Sequence, residues 1–134
     1  MIESAEEFAR LRRSEVPEEY NRANDESAPL SVWLDVLRDY PELRRYVAYN
    51  STSPIAILKV LASDDDWLVR HAVARREDLD ADMLRTLAHD QDEGVRARVC
   101  WNPSTPRDVL EYLAATEWFE PNLERVKERL AALD

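Results

Sequence analysis

Apolar positions recur along the chain with a period of 26 residues between Leu43 and Trp118. Three equal segments, 43–68, 69–94 and 95–120, align without an insertion or a deletion. A fixed period of this length is typical of stacked units, because one small unit cannot bury its apolar face alone. The columns that stay apolar in all three segments are Leu43/Val69/Val95, Val47/Val73/Val99, Ala48/Ala74/Cys100, Ile57/Met83/Val109, Leu58/Leu84/Leu110 and Leu61/Leu87/Leu113.

The spacing of the apolar residues within each segment predicts two short helices. The first helices are expected at about 43–50, 67–76 and 93–102, and the second helices at about 54–63, 80–89 and 106–115. Ser53-Pro54 and Thr105-Pro106 place a hydroxyl at a predicted N-cap and a proline at the first helical position. Acidic residues are expected to cap the remaining helices: Asp66 and Asp92 before first helices, and Asp78 or Asp80 in the middle unit.

The two ends of the chain are predicted to be helical caps. Residues 1–42 are expected to form helices at about 4–13, 17–24 and 30–39, the first with a capping box at Ser4 and Glu7. The helix at 30–39 is interpreted as half of a degenerate leading repeat, because its Trp33-Leu34-Asp35-Val36-Leu37 is similar to Ile57-Leu58-Lys59-Val60-Leu61. Residues 121–134 are expected to form one amphipathic capping helix.

The third segment resembles the variant leucine-rich repeat. Val95-Arg96, Asn102-Pro103, Thr105-Pro106 and Leu113-Ala114 stand at the spacings of that family, although Ser51 and Glu77 replace its proline in the other two segments. The resemblance implies a HEAT- or armadillo-like fold. We therefore expect an all-α chain, a short right-handed α-solenoid of about three 26-residue two-helix repeats in one domain, 1–134. The resemblance transfers no catalytic residue, and no cysteine precedes Cys100, so no iron–sulfur cofactor is implied.

Charge narrows the class of partner. The chain has 28 acidic and 18 basic residues, a formal net charge of −10, and residues 1–42 alone carry 11 acids against 5 bases. Duplex-binding proteins gain most of their affinity by neutralising phosphates, so direct nucleic-acid binding is disfavoured. A basic partner protein is favoured, because opposite potentials speed encounter. The chain has no long apolar run and its N-terminus is acidic, so we predict no membrane contact and a cytoplasmic location. We also predict a bacterial-type monomer.

Several residue groups admit a chemical and a structural interpretation. The column Arg44/Arg70/Arg96 could bind anions, but Asp66–Arg70 and Asp92–Arg96 spacings favour structural pairing. Asp64-Asp65-Asp66 lacks the ligand pattern of a calcium loop and is interpreted as capping. His71 and His89 have no orienting motif, so exposed histidines are favoured over catalytic ones. We therefore predict no catalytic, cofactor or metal site. Trp67 and Phe119 are expected to wedge into unit junctions and Trp118 to dock the tail helix.

Positions that change from unit to unit are expected to face solvent or a partner. On the first helices these columns lie at i, i+1 and i+4, which places them on one broad face. Tyrosine, tryptophan and arginine are enriched in binding hot spots, so this face predicts a partner-binding surface. The alternative is that Tyr49 and Trp101 only pack along arginine stems. The predicted partner-binding residues are Arg45, Tyr46, Tyr49, His71, Arg75, Arg98 and Trp101.

These observations favour a noncatalytic protein-interaction module, an adaptor or a regulatory scaffold. One alternative is an immunity- or antitoxin-like inhibitor of a basic toxin or nuclease, which the small size and acidity would suit. An enzyme such as a HEAT-like DNA glycosylase is disfavoured, because it needs a basic groove and a pocket for the extruded base. A purely structural, oligomeric role is a further possibility.

Overall fold

The computed structural model describes residues 1–134 and contains ten α-helices, one 3₁₀ helix and no strand. The all-α prediction is therefore confirmed, and the helices have the arrangement of a helical repeat. The chain divides into two compact units, Met1–Val73 and Ala74–Asp134. Each unit has its own set of buried residues.

The first unit is built around buried residues from six α-helices and one 3₁₀ helix. Phe8 of the first helix packs edge-to-face on Trp33, with ring centroids 5.2 Å apart. Leu11, Val47 and Leu58 are also fully buried. The helices are α1 (Ala5–Arg13), α2 (Pro17–Asp25), α3 (Leu30–Asp39), a 3₁₀ helix (Pro41–Leu43), α4 (Arg44–Tyr49), α5 (Ile55–Leu61) and α6 (Trp67–Ala74), which ends one residue beyond the unit.

The second unit contains four helices with the repeated apolar columns inside. Leu84, Val99, Leu110 and Val126 are completely or almost completely buried. Cys100 is also buried, and burial raises the pKa of its thiol to about 12. The helices are α7 (Ala81–Ala88), α8 (Glu93–Trp101), α9 (Arg107–Thr116) and α10 (Glu120–Leu133).

The buried positions of α3 resemble those of α5 in the first full repeat. Helix α3 buries Val32, Trp33 and Val36 in the pattern that α5 shows for Ile57, Leu58 and Leu61. Trp33 therefore corresponds to Leu58, one residue out of the register suggested by sequence similarity. The assignment of α3 to half of a degenerate leading repeat stays a prediction.

Most predicted caps are present, but the two hydroxyl caps are wrong. Asp92 accepts from the amides of Gly94 and Val95, and Asp80 accepts from Met83 at 2.9 Å. The hydroxyls of Ser53 and Thr105 instead donate back to the carbonyls of Val47 and Val99, and Pro54 and Pro106 occupy the N-caps. The last carbonyls of a helix lack intrahelical partners, so a buried hydroxyl nearby satisfies one of them.

The capping box of α1 differs in one partner. Ser4 accepts from the Glu7 amide at 3.0 Å, as predicted. The Glu7 carboxylate accepts from the Glu3 amide at 3.2 Å, whereas a capping box would use the amide of Ser4.

Candidate partner-binding site

The repeated arginines belong to the scaffold of each unit. Arg44 Nε donates to Leu37 O, Arg70 Nη1 to Asp64 O and Arg96 Nη1 to Asp90 O, each at 2.8 Å. These carbonyls stand in the two turns after α5 and α7 and near the end of α3. The structural interpretation of the arginine column is therefore confirmed.

Arg96 also has a carboxylate partner that the sequence did not predict. Its Nε and Nη2 bond the two oxygens of Glu117 at 2.8 and 3.1 Å, whereas Asp92 was the expected partner. Burial alone would raise the pKa of Glu117, but hydrogen bonds from Arg96 and from the Phe119 amide outweigh it and lower that pKa. Asp92 is used as a cap, which explains why it does not pair with Arg96.

Buried asparagines join segments that lie one repeat apart. Asn50 Nδ2 donates to Ala23 O at 2.9 Å and to Glu26 O at 3.0 Å. Asn102 Nδ2 donates to Ala74 O at 2.9 Å and to Arg76 O at 2.7 Å. These clamps fix the ends of the first helices, which carry the variable side chains. Sequence reasoning used the asparagines only as family markers and missed this role.

The acidic run Asp64-Asp65-Asp66 and the histidine His89 make contacts within the fold. Asp64 accepts from Arg44 Nη1 at 3.2 Å and from the Asp66 amide at 2.9 Å, and Asp66 accepts from the Leu68 amide. The described chain contains no group of three or more histidine, cysteine or acidic side chains placed to hold a metal ion. His89 stacks on Tyr112 with ring centroids 4.2 Å apart.

Three predicted partner-binding residues of the first unit lie together on α4. Tyr46 Oη accepts from Arg45 Nη2 at 2.7 Å, and the rings of Tyr46 and Tyr49 are 5.8 Å apart. The guanidinium carbon of Arg12 lies 3.7 Å from the centre of the Tyr46 ring and 4.5 Å from that of Tyr20. We call these five residues the tyrosine cluster: Arg12, Tyr20, Arg45, Tyr46 and Tyr49.

The tyrosine cluster is half-buried and carries a local positive field. Arg12, Arg45, Tyr46 and Tyr49 are all partly covered, and Tyr20 is exposed. The hydrogen bond from Arg45, reinforced by the adjacent Arg12, lowers the pKa of the Tyr46 phenol. Arg12 and Tyr20 come from α1 and α2, so the sequence periodicity gave no signal for them.

His71, the fourth predicted residue of the first unit, lies on α6. Its half-buried ring packs edge-on against Trp67, with centroids 5.9 Å apart. The contact places an imidazole beside an exposed indole on one helix face.

The second unit contains Arg75, Arg98 and Trp101, all exposed. Trp101 is 58% exposed at the end of α8, and the guanidinium of Arg125 from α10 lies 4.0 Å above its ring. The indole thus both packs on an arginine and stays open to solvent. The choice between the two interpretations of Trp101 is therefore not exclusive, because the arginine contact orients the ring without covering it.

A groove adjoins this tryptophan in the second unit. It has a volume of about 560 Å³ and is lined by apolar residues, among them Pro103, Leu110 and Leu133, and by the charged residues Arg107, Arg125, Glu128 and Arg129. Arg125 lines the groove and also contacts one face of the Trp101 ring. The shared arginine therefore links the indole and the groove.

Three aromatic residues were placed wrongly by the sequence. Trp67, Trp118 and Phe119 were expected to be buried or docked, but they are 44%, 71% and 37% exposed. Val69 in α6 and Val126 in α10 are buried instead. Large aromatics at helix starts remain outside, because the inward positions of those helices already carry smaller apolar residues.

Comparison with protein families identifies the segment around α6 and α7. Residues 67–92 match the family model of the leucine rich repeat variant. This segment is therefore similar to a leucine rich repeat variant, over 26 of the 134 residues. Searches of curated proteins and of solved structures found no match.

The variant repeat includes two of the seven predicted partner-binding residues, His71 and Arg75. It begins at Trp67, the first residue of α6, and ends at Asp92, the cap of α8. No helix of the chain is both long enough and apolar enough to cross a membrane. The seven residues stay a prediction of a partner-binding surface.

Proposed function

We propose that this protein is a noncatalytic interaction module, an adaptor or regulatory scaffold that binds a partner protein through the variable side chains of its first helices. The leucine rich repeat variant supports this, since it is a non-enzymatic repeat module typically involved in protein interaction. The proposed contact residues are Arg45, Tyr46, Tyr49, His71, Arg75, Arg98 and Trp101.

The observation that carries the proposal is the exposed indole of Trp101. A side chain of this size contributes a large apolar area when a partner covers it, and tryptophan is among the commonest hot-spot residues. Arg125 holds the ring from one side, which leaves the indole open yet oriented. A pre-oriented side chain loses little conformational freedom on binding, and this favours affinity.

The backbone beneath Trp101 is also fixed. Asp92 caps the start of α8, and the buried amide of Asn102 binds two carbonyls immediately after its end. The variable residues are therefore presented on a helix whose two ends are held. This is the arrangement expected of a recognition surface rather than of a site that needs to rearrange.

Overall charge supports a basic partner protein as part of the proposal. The net charge of −10 gives a long-range field that attracts cationic surfaces and speeds their encounter. This field acts on the approach of the partner, whereas affinity depends on the side chains that finally touch.

The test is photo-crosslinking of the full chain in cells of its source organism. The crosslinking amino acid p-benzoylphenylalanine replaces Trp101 in one version and Tyr49 in a second. The matched control carries it at Thr86, an exposed position on the second helix α7. We expect positions 101 and 49 to capture the same protein, identified by mass spectrometry, and position 86 not to capture it.

A second variant separates binding from folding. Trp101→Ala should keep the helical circular dichroism and weaken capture of that protein from position 49. Equal adducts at 86 and 101, no adduct at 101, or unfolding of Trp101→Ala would each overturn the proposal.

A further inference from the structure

We propose that the tyrosine cluster binds a carboxylate of an acidic segment of the partner, held between the guanidiniums of Arg12 and Arg45. This inference rests on the proposed function and adds the chemistry of one contact. It concerns the first unit alone, since all five residues of the cluster lie within Met1–Val73.

Arg12 lacks a carboxylate although its neighbours on α1 have one. Arg10 pairs with Glu19, and Arg13 pairs with Glu42 at 3.0 Å. Arg12 forms no ion pair, and its Nε and Nη1 atoms are buried without a hydrogen-bond partner. Nη2 is not among these buried atoms, so it is the nitrogen of Arg12 that a carboxylate from outside would reach.

Arg45 is in the same situation on α4. Its one hydrogen bond goes from Nη2 to the hydroxyl of Tyr46, which leaves most of its five N–H donors available to a ligand. Asp66 contributes to the field at Arg45 but does not pair with it. In a chain with 28 acidic residues, two neighbouring guanidiniums without a carboxylate are an unusual pairing.

The ring of Tyr46 contacts both cations. The guanidinium carbons of Arg12 and Arg45 lie 3.7 and 4.8 Å from the centre of this ring. These cation–π contacts place both charges against one aromatic side chain without neutralising them. An anion that touches both would relieve their repulsion, and a carboxylate matches the planar fork of a guanidinium.

An acidic peptide segment fits this site better than a nucleic acid. A long polyanion would meet the repulsion of the whole acidic chain, whereas one or two carboxylates are influenced mainly by charges within about 8 Å at physiological salt. The rings of Tyr20 and Tyr49 border the guanidiniums and can contact the stem of a peptide side chain. The partner can be basic overall and still present such a segment here.

The test uses the full chain and a fluorescent peptide of six glutamates at about 0.15 M salt, where long-range repulsion is screened. A peptide of six glutamines is the neutral counterpart. We expect the glutamate peptide to bind and the glutamine peptide not to bind, as measured by fluorescence anisotropy. Arg12→Gln and Arg45→Gln should each weaken binding about fivefold, the upper range for one partly exposed ion pair.

Arg10→Gln is the matched control, because it removes the same charge from the same helix but from an arginine already paired with Glu19. It should leave peptide affinity unchanged. Arg45→Lys keeps the charge and should retain more affinity than Arg45→Gln, which guards against a variant that only unfolds. On binding, the pKa of Tyr46 should rise, because the carboxylate offsets the cations that lower it.

Several results would overturn the inference, and they are distinguishable from a failure of the proposed function. No binding by the natural chain, or equal losses in Arg10→Gln and Arg12→Gln, overturns the inference. Competition by inorganic phosphate at the same concentration of charge would show a general anion site and would also overturn it. If the peptide fails while position 101 still captures a partner, only this inference falls; if position 101 captures nothing, the proposed function falls.

Discussion

Arg96 and Arg45 occupy the two extremes of guanidinium environment in this chain. Arg96 is buried and bonded to both oxygens of Glu117, whereas Arg45 is half-buried and bonded only to a phenol. The first arrangement satisfies a charge inside the protein. The second leaves donors for another molecule.

The buried pair gives a prediction at the residue scale. Glu117→Gln should lower the free energy of unfolding near neutral pH by about 3 kcal/mol, because a buried Arg96 then lacks its counter-charge. Glu111→Gln, which removes a carboxylate from the exposed pair with Arg107, should cost at most about 1 kcal/mol. Urea unfolding followed by circular dichroism measures both.

The effect of Glu117→Gln should also depend on pH. The pKa of Glu117 is lower in the folded chain than in the unfolded one, so its stabilisation is complete above the unfolded value of 4.5. It is lost as the pH falls through the lower folded value. The difference between the natural chain and Glu117→Gln should therefore shrink below pH 4.5, and a constant difference would contradict the ionic origin.

At the scale of elements, the buried asparagines act where hydrophobic packing is not specific. The carbonyls they bind lie at or just beyond the ends of earlier helices, where no intrahelical amide is available. Apolar side chains contact one another without directional bonds. An asparagine amide that binds two carbonyls satisfies both of them in only one register of the neighbouring helices. The asparagines thus fix register within each unit.

Asn50→Ala and Asn102→Ala should therefore each lower the free energy of unfolding by about 2 kcal/mol, the cost of leaving buried carbonyls without donors. Asn21→Ala, at an exposed position on α2, should change it by less than about 0.5 kcal/mol. Urea unfolding is again the measurement. Similar values for all three variants would show that the clamps do not stabilise the fold.

The helices were predictable where the repeat is regular, because burial of a single face imposes a spacing that survives in every unit. The predicted helix at 106–115 is found as Arg107–Thr116. The leading repeat was harder, since Trp33 fills a place that Leu58 holds later and a change in volume hides the register. The hydroxyls of Ser53 and Thr105 were wrongly predicted to be N-caps, because the carbonyls of Val47 and Val99 accept their hydrogen bonds instead.

The site was predictable only in part, because some of its residues lie outside the regular repeat. Tyr46 and Trp101 stood out as variable positions within a regular repeat. Arg12 and Arg125, which contact their rings, lie in terminal segments that lack the period, and only the three-dimensional contact brings them in.

At the scale of the molecule, both units are acidic to the same degree. Met1–Val73 and Ala74–Asp134 each contain 14 acidic and 9 basic residues. The cations that lie without carboxylates are therefore local exceptions within a negative background. The local positive charge therefore predicts the chemistry of a contact. The overall negative charge predicts how a partner approaches.

The overall charge predicts weak interaction with nucleic acid. Labelled duplex DNA should show no retarded band with micromolar protein at about 50 mM salt, because phosphate neutralisation supplies the non-specific affinity and neither unit offers a net positive charge. Electrophoretic mobility is the measurement. A retarded band that disappears as salt rises would contradict this and would favour the enzyme alternative.

Cys100 is a natural probe of the local opening of the fold. It is the only thiol in the chain, it is fully covered, and its high pKa keeps it protonated. The thiolate is the form that attacks an alkylating reagent, so modification of the buried Cys100 requires an opening that exposes α8. The rate at which the natural chain takes up such a reagent would thus time the opening of the helix that carries Trp101, with no engineered label.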